Sequence, residues 1–435
     1  MPVANDSLLA LFRSGQSKAA ISHVFAFCLF GSVFIQPRPA ALLVAMALLM
    51  IALVAFSADT RSGRAQVTAR STRLIWIPFV VWFCAHVVIA ALHSPFAWNQ
   101  LANPLRALLA LGPLLYLIRF PASARYLWAG LALACVAAFG HAAFEALALG
   151  TVRATGWFNN PIYYGDYCGL LGIFAIIVGL LARDLRAGVR ITFLALGFLA
   201  SVAAAASGTR TALLPMLCLA PLLVVRPVDD LHRHLRNFFL MVIAALVFGL
   251  AVSERARDRL RITEAVSDFK AMAQGKAASS IGDRKEMWKA AIGMAKTAPV
   301  FGVGLNGFEP ALAAMVQKKE ILALSGSYNQ AHSQALQSLA AGGAFLLSAY
   351  VVYLLGPLLW FWLFFKRSVA APGARLMAYL GMTHVASHAI FGLTVATFDI
   401  QVFSSLYCIT VVALAAFCIS EARISNPVLN PPAHV

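Results

Sequence analysis

His332 lies in Ser327–Gly343, SYNQAHSQALQSLAAGG. An imidazole titrates near neutral pH, so it can take a proton from an attacking hydroxyl under physiological conditions. The stretch reads as a helix start, with Ser327 at the N-cap and Gln330 three residues on in a capping-box pattern. His332 then falls in the first turns, and Leu336 and Leu339 follow on one face. The helix continues into the apolar run FLLSAYVVYLLGPLLWFWLFF. A titratable ring on a rigid helix at a membrane surface suits proton transfer. It suits a polar cap on a membrane span equally well.

Two arginines stand in unusual places. Arg284 lies in GDRKEMWKAAIGMAKTAP, where Asp283 opens a helix and Glu286 repeats the capping pattern. A cation in a first helical turn opposes the helix dipole, while the spare N–H groups of that end favour an anion. Arg210 lies in ASGTRT. There Ser207, Gly208 and Thr209 make a tight polar reversal whose N–H groups can form an anion-binding concavity, and Thr209 can cap the next helix. Guanidinium groups stay charged and grip phosphate oxygens bidentately. Against that stands an arginine that only snorkels at a hairpin. Arg153 opens a third feature, RATGWFNNPIYYGD, rich in turn formers and aromatics. Rings beside Asn and Asp bind sugars by stacking and hydrogen bonding. They also build the interfacial belt of a membrane protein.

The elements that must hold these groups are membrane helices. Of 435 residues, 61% are hydrophobic and 12% charged, and the mean hydropathy is +0.80. That excludes a soluble domain and implies an all-α polytopic membrane protein. Apolar stretches at 19–36, 39–57, 74–92, 104–118, 126–149, 165–182, 191–206, 211–225, 238–253, 333–365, 376–396 and 402–419 predict about twelve spans. The fourth, seventh and eighth are short enough to be tilted or broken. The first is read as a retained span, not a removed signal peptide.

Orientation follows from Lys and Arg. With a cytoplasmic N-terminus, eighteen fall in cytoplasmic segments and four (Arg38, Arg106, Arg153, Arg210) in short opposite segments. The long loop 254–327 then lies outside, and its charges are exempt from the rule. The net charge of +17 is therefore topological and points to no nucleic acid. The expected organisation is 1–253 as nine spans, 254–327 as an outer loop, 328–419 as three spans and 420–435 as a cytoplasmic tail.

Within the loop, SERARDRLRIT extends span nine as a charged helix. Met287, Ala291 and Met294 share an apolar face, so the helix that Asp283 opens is amphipathic, lies near the membrane and is stopped by Pro299. GVGLNG bends into a second short helix, EPALAAMVQKKE. It has neither the Lys-Ser/Thr pair nor the strand–turn–helix setting of a nucleotide loop. No loop carboxylates are spaced as a metal cage, so neither metal nor other cofactor is expected. All seven Cys lie in apolar stretches and make no disulfide framework. His384 and His388, four apart with Asp399 beyond, are a relay, a metal pair, or a packed pair bonded to carbonyls.

The set SGTR…GDRxxMW…GxGLNxF…AHSxxLQxLAxGG, with RATGWFNNPIYYGD, resembles the O-antigen ligase family, within a superfamily that includes O-antigen polymerases and protein O-oligosaccharyltransferases. The resemblance implies a fold of the membrane-embedded, GT-C-like glycosyltransferase type. It implies transfer of O-antigen from undecaprenyl diphosphate to lipid A–core oligosaccharide, with inversion and without metal or ATP, at the periplasmic face of a Gram-negative inner membrane. By motif match the catalytic base falls on His332 and the diphosphate-binding arginines on Arg210 and Arg284. Substrate contacts are expected from Arg153, Asn160, Tyr163, Tyr164, Trp288 and Gln330. Ser333 departs from the Asn that many relatives carry after the motif His. Polymerases commonly have two large outer loops; here there is one. A secondary transporter is the reading from another class, but it calls for mid-membrane charges and internal repeats. Here Glu145 and Asp166 lie only at span edges.

Overall fold

The computed structural model describes residues 15–31, 39–55, 70–219, 233–234, 236–237, 240–241 and 280–425, apart from 323, 325 and 327. The expected ninth span, the charged helix after it and Ser327 lie outside the described residues. Among the described residues there are helices and no strands. In chain order they are α1 (Gly15–Gly31), α2 (Pro39–Ala55), α3 (Arg73–Leu92), α4 (Ala102–Leu109), α5 (Leu111–Arg119), α6 (Ala124–Leu147), α7 (Pro161–Leu181) and α8 (Ala187–Ala206). A 3₁₀ segment, Arg210–Leu219, follows. Then come α9 (Ser280–Thr297), α10 (Phe308–Gln317), α11 (Gln334–Arg367), α12 (Pro372–Phe391) and α13 (Gln401–Ser425).

Six of these, α3, α6, α7, α8, α11 and α13, are long and apolar enough to cross a membrane. In lipid every backbone polar group must be bonded within the chain, so apolar runs of this length become helices. The chain is an α-helical polytopic membrane protein. The short fourth stretch is broken, as its length allowed: α4 and α5 meet at Ala110 beside Pro113. The seventh is a full helix of 20 residues.

Burial decides which helices are central. In α7 and α13, 94% and 89% of the apolar window is buried, against 44% in each of the other four. The centrality of α7 follows from its glycines. Gly172 faces the Gly197 carbonyl on α8, and Gly169 faces the Ala212 carbonyl of the 3₁₀ segment. Small residues let backbones approach closely where lipid offers no hydrophobic drive for helix association. Gly165 does the same one turn earlier, beneath Ser207 and Thr209. The turn before Arg210 is therefore seated directly on α7.

At the same end, α9 and α10 form a small cap with its own core. Ala290, Ala291, Met294, Phe308, Leu312 and Ile321 pack with Ala331 and Ala340. The expected apolar face is therefore buried against the chain itself. The Pro299 stop, the glycine bend and the second short helix are all present.

The bend does more than let helices pack. α11 is interrupted at Gly342 (φ −137°, ψ 16°) and Gly343 (φ 60°, ψ −157°). A broken helix frees backbone groups that must find partners. Here Val303 N donates to Ala340 O (2.9 Å) and Gly304 N to Ala341 O (3.0 Å). Ala344 N donates to Pro299 O (2.8 Å) and Phe345 N to Val300 O (3.1 Å). The strap 299–304 thus sews the kink shut, and it leaves α9 only two residues earlier.

Candidate functional site

The start of α11 differs from the sequence expectation. The helix begins at Gln334, with Ser333 in extended backbone before it. His332 is not in a helical turn; its φ is 48°, the left-handed region that Cβ-bearing residues rarely occupy. The two flanking glutamines help fix it there. Gln330 Oε1 accepts from Ala396 N (3.1 Å), and Gln334 Oε1 accepts from Phe398 N (2.7 Å). Gln334 N donates to Gly392 O (2.7 Å), and between them the His332 ring meets the Thr394 backbone. Gln330 and Gln334 are thus spent on tertiary bonds to the loop after α12, not on a capping box. Ala331 N donates to Gln337 Oε1 (2.9 Å) and closes the turn.

His332 is half-buried, with Nδ1 enclosed and unbonded. Tyr328 stands edge-on to its ring at 5.8 Å, and the Tyr328 hydroxyl donates to Asp283 Oδ2 (2.8 Å) on α9. Burial, and next the Arg284 charge, hold the imidazole below its ordinary pKa; the Thr394 backbone pulls the other way. The ring therefore favours its neutral form.

Arg284 projects from α9. The helix starts at least three residues before Asp283, so Arg284 lies beyond the first turn. Glu286 makes no capping box: it accepts from Lys289 Nζ (2.6 Å) and Leu322 N (3.1 Å), tying down the chain that leads to His332. Burial and then the neighbouring charge of Arg210 press the Arg284 pKa down, while Tyr328 and Asp166 support it. These mutual effects place Arg284 beside His332, Arg210, Tyr328 and Asp166.

Arg210 is exposed at the first residue of the 3₁₀ segment. The polar reversal before it is present: Gly208 has φ 65° and Thr209 N donates to Ser207 Oγ (3.1 Å). Thr209 caps no following helix, because its hydroxyl donates to Pro161 O (2.9 Å) at the start of α7. Arg153 donates through Nε to Ser207 O (2.8 Å) and Ala154 N to Ala206 O (3.0 Å), so the aromatic loop braces this turn.

The other expected contacts divide. Tyr163 is partly buried and hydrogen-bonds Gln330, which joins α7 to the His332 segment. Trp288 is 39% exposed on α9. Asn160 is the N-cap of α7: its Oδ1 accepts from Ile162 N (2.9 Å) and Tyr163 N (3.4 Å). Tyr164 is a correction. It is fully buried, its hydroxyl donates to Ala138 O, and it lies against Gly156, so it packs in the core of the bundle. Adjacent helical residues point about 100° apart, so one tyrosine of the pair faces the site and the other the bundle.

Asp166 is the residue that sequence reasoning passed over. It is 1% exposed on α7; Oδ1 accepts from Thr211 Oγ1 (3.2 Å), and Oδ2 is buried without a partner. Its charge acts on Arg284, and Thr211 is the residue after Arg210. An intramembrane carboxylate is a functional candidate by default, and that signal was available. Glu145, its counterpart at a span edge, accepts from Thr155 N (2.6 Å), Thr155 Oγ1 (3.2 Å) and Gly156 N (3.1 Å) and so shapes the aromatic loop.

His384 and His388 are fully buried and away from this group. His384 Nε2 meets Tyr407 O (3.3 Å) and His388 Nδ1 meets His384 O (3.0 Å), the packed, carbonyl-bonded alternative. Among the described residues no group of three or more His, Cys, Asp or Glu could hold a metal ion.

One relative is an uncharacterized protein of Haemophilus influenzae, 23% identical over 322 residues that cover 72% of this chain and 79% of the relative. Residues 194–351 match the family model of the O-antigen ligases. That segment, similar to the O-antigen ligases, contains Arg210, Arg284 and His332.

Proposed function

We propose that the protein is the O-antigen ligase of lipopolysaccharide assembly, joining O-antigen from undecaprenyl diphosphate to a sugar hydroxyl of lipid A–core oligosaccharide. The observation that carries this reading is the closeness of two arginines to each other and of one of them to a half-buried histidine whose pKa that arginine lowers. Two guanidinium groups held together repel unless an anion lies between them, and a diphosphate is such an anion. The donor's own phosphoanhydride-linked leaving group supplies the driving force, so no ATP is needed.

In the proposed step the acceptor O–H gives its proton to the His332 ring as the oxygen attacks the anomeric carbon. A new C–O bond forms while the bond from that carbon to the diphosphate oxygen breaks. The electron pair leaves with undecaprenyl diphosphate, where Arg210 and Arg284 stabilise the developing charge. One displacement inverts the anomeric centre. Asp166 and Thr211 position the arginine pair from below, and Tyr163, Gln330, Trp288 and Arg153 border the space for sugar. Twelve spans, a GT-C-like arrangement and a periplasmic site in a Gram-negative inner membrane complete the reading.

The test is a reconstituted assay of purified protein with lipid-linked glycan and rough lipopolysaccharide, run with and without EDTA. Ladder formation on lipopolysaccharide that survives the chelator is expected. Extension of the lipid-linked glycan alone would make the protein a polymerase, and loss with EDTA rescued by magnesium would overturn the arginine-based mechanism.

A further inference from the structure

The end of the bundle opposite the candidate site contains a cavity of about 400 Å³. Besides His23 of α1, three elements converge on it: the first turns of α6, the turn between α7 and α8, and the last turns of α13. They contribute Arg125 and Trp128, Asp184 and Leu185, and Glu421 and Ile424. A volume of this size is that of a small-molecule site.

Its charge pattern is specific. Among the described residues, Asp184 and Glu421 are the acidic side chains at this end of the bundle, and both line the cavity. They are near enough for the charge of Asp184 to act on Glu421. Among the described residues neither makes an ion pair. The Glu421 carboxylate lies against Gly373 at the start of α12, where a helix N-terminus favours it. Arg125 is the cation of the cavity wall; one of its donors goes to Tyr126 Oη (3.2 Å), which leaves others of the guanidinium fork for a ligand. His23 closes that wall, stacked on Tyr126 at 4.3 Å.

A ligand that fits must bring a donor-bearing cation to two carboxylates and an anionic acceptor to Arg125, within one small headgroup. It must also be amphipathic, because Trp128, Leu185 and the 69% exposed Ile424 form an apolar rim at the ends of membrane-crossing helices. We propose that the cavity binds the phosphoethanolamine headgroup of a phospholipid from the leaflet on the far side from the candidate site. A basic helix-end surface would ordinarily draw anionic lipids. This cavity is different: a glycerol headgroup offers Arg125 a phosphate but offers the carboxylates nothing. A choline headgroup has the positive charge but no N–H to donate.

The experiment is native mass spectrometry of the full chain, delipidated and titrated with phosphatidylethanolamine, phosphatidylcholine or phosphatidylglycerol of the same acyl chains. Wild type should retain the ethanolamine lipid about tenfold or more over the other two, the worth of a charged hydrogen bond. Asp184→Asn with Glu421→Gln should bring that preference to about one, and Arg125→Gln should weaken all three lipids alike. Asp184→Asn alone, in an exposed turn, keeps the test open if the double variant does not fold, and should cut the preference at least threefold or so. Equal retention of the three lipids by wild type, or an unchanged preference in Asp184→Asn, would overturn the site. Free phosphoethanolamine should not displace the lipid, since the rim holds the acyl chains; displacement at equal headgroup concentration would make the ligand a soluble phosphoester and overturn the lipid.

Discussion

Gly343→Ala is the most informative single change to the scaffold of the site. Gly343 has φ 60° and ψ −157°, a region open essentially to glycine alone, and a Cβ there would overlap the Val300 carbonyl carbon and oxygen. Forcing alanine into that backbone costs about 1–3 kcal/mol. The overlap cannot be relieved by a side chain, because the obstacle is backbone. The strap must move, and that loosens Ala344 N to Pro299 O and Phe345 N to Val300 O. Each such bond is worth about 0.5–1.5 kcal/mol net, so the total is roughly 2–6 kcal/mol. The assay is thermal unfolding in detergent with ligation activity measured on the same preparation. Activity should fall roughly tenfold or more, because the strap joins the helix of Arg284 to the helix that follows His332. The control is Gly140→Ala in α6, where a Cβ meets nothing within 4 Å and alanine gains about 0.5–1 kcal/mol in helix. Gly343→Ala that melts and turns over like Gly140→Ala would refute the reasoning.

Four further outcomes are expected. His332→Ala should still bind the lipid-linked donor but lose transfer by roughly 100- to 10,000-fold. Burial and Arg284 lower the His332 pKa, so wild-type activity should be present above a limb lying below the ordinary imidazole range and be lost as pH falls through it. In Arg284→Gln the residual activity should show that limb shifted upward. Arg210→Lys and Arg284→Lys should each cost about 30- to 1000-fold in kcat/KM, since an ammonium cannot reproduce the bidentate fork; normal turnover in both would make the residues structural. Asp166→Asn should fold yet weaken the donor KM by about tenfold, with kcat less affected, because it removes a charge that supports Arg284 without touching the base; an unchanged donor KM would relegate Asp166 to packing.

Much of the framework was legible because it follows from local chemistry. Apolar runs became helices, Pro299 ended α9, and Ser207-Gly208-Thr209 made its reversal. Met287, Ala291 and Met294 buried the face that their spacing selects. The start of α11 was not legible. Ser327 and Gln330 match a capping box, but Gln330 bonds Ala396 N and Tyr163 instead, sixty-six residues and a helix away in the first case. A local motif loses when tertiary partners offer the same side chain better-buried bonds. Tyr163 and Tyr164 could not be told apart for a similar reason: only the packing of α7 on α6 decides which ring is inward. Asp166 showed its type but not its neighbours, which come from the 3₁₀ segment and α9.

The zipper between residues 330–334 and 392–398 has a consequence for how this protein yields to mutagenesis. Its bonds end on main-chain atoms of the second strand of the zipper: Ala396 N, Phe398 N, Gly392 O and the Thr394 backbone. An alanine scan leaves every one of those atoms in place, so it would report core packing, of Phe398 above all, and stay silent on the zipper. Backbone editing is what would hear it. Ala396 has φ −77°, which proline accepts, so a proline there removes the N–H that Gln330 Oε1 binds. The geometry of a histidine can thus be held by main-chain atoms of a stretch whose buried side chains serve the core instead.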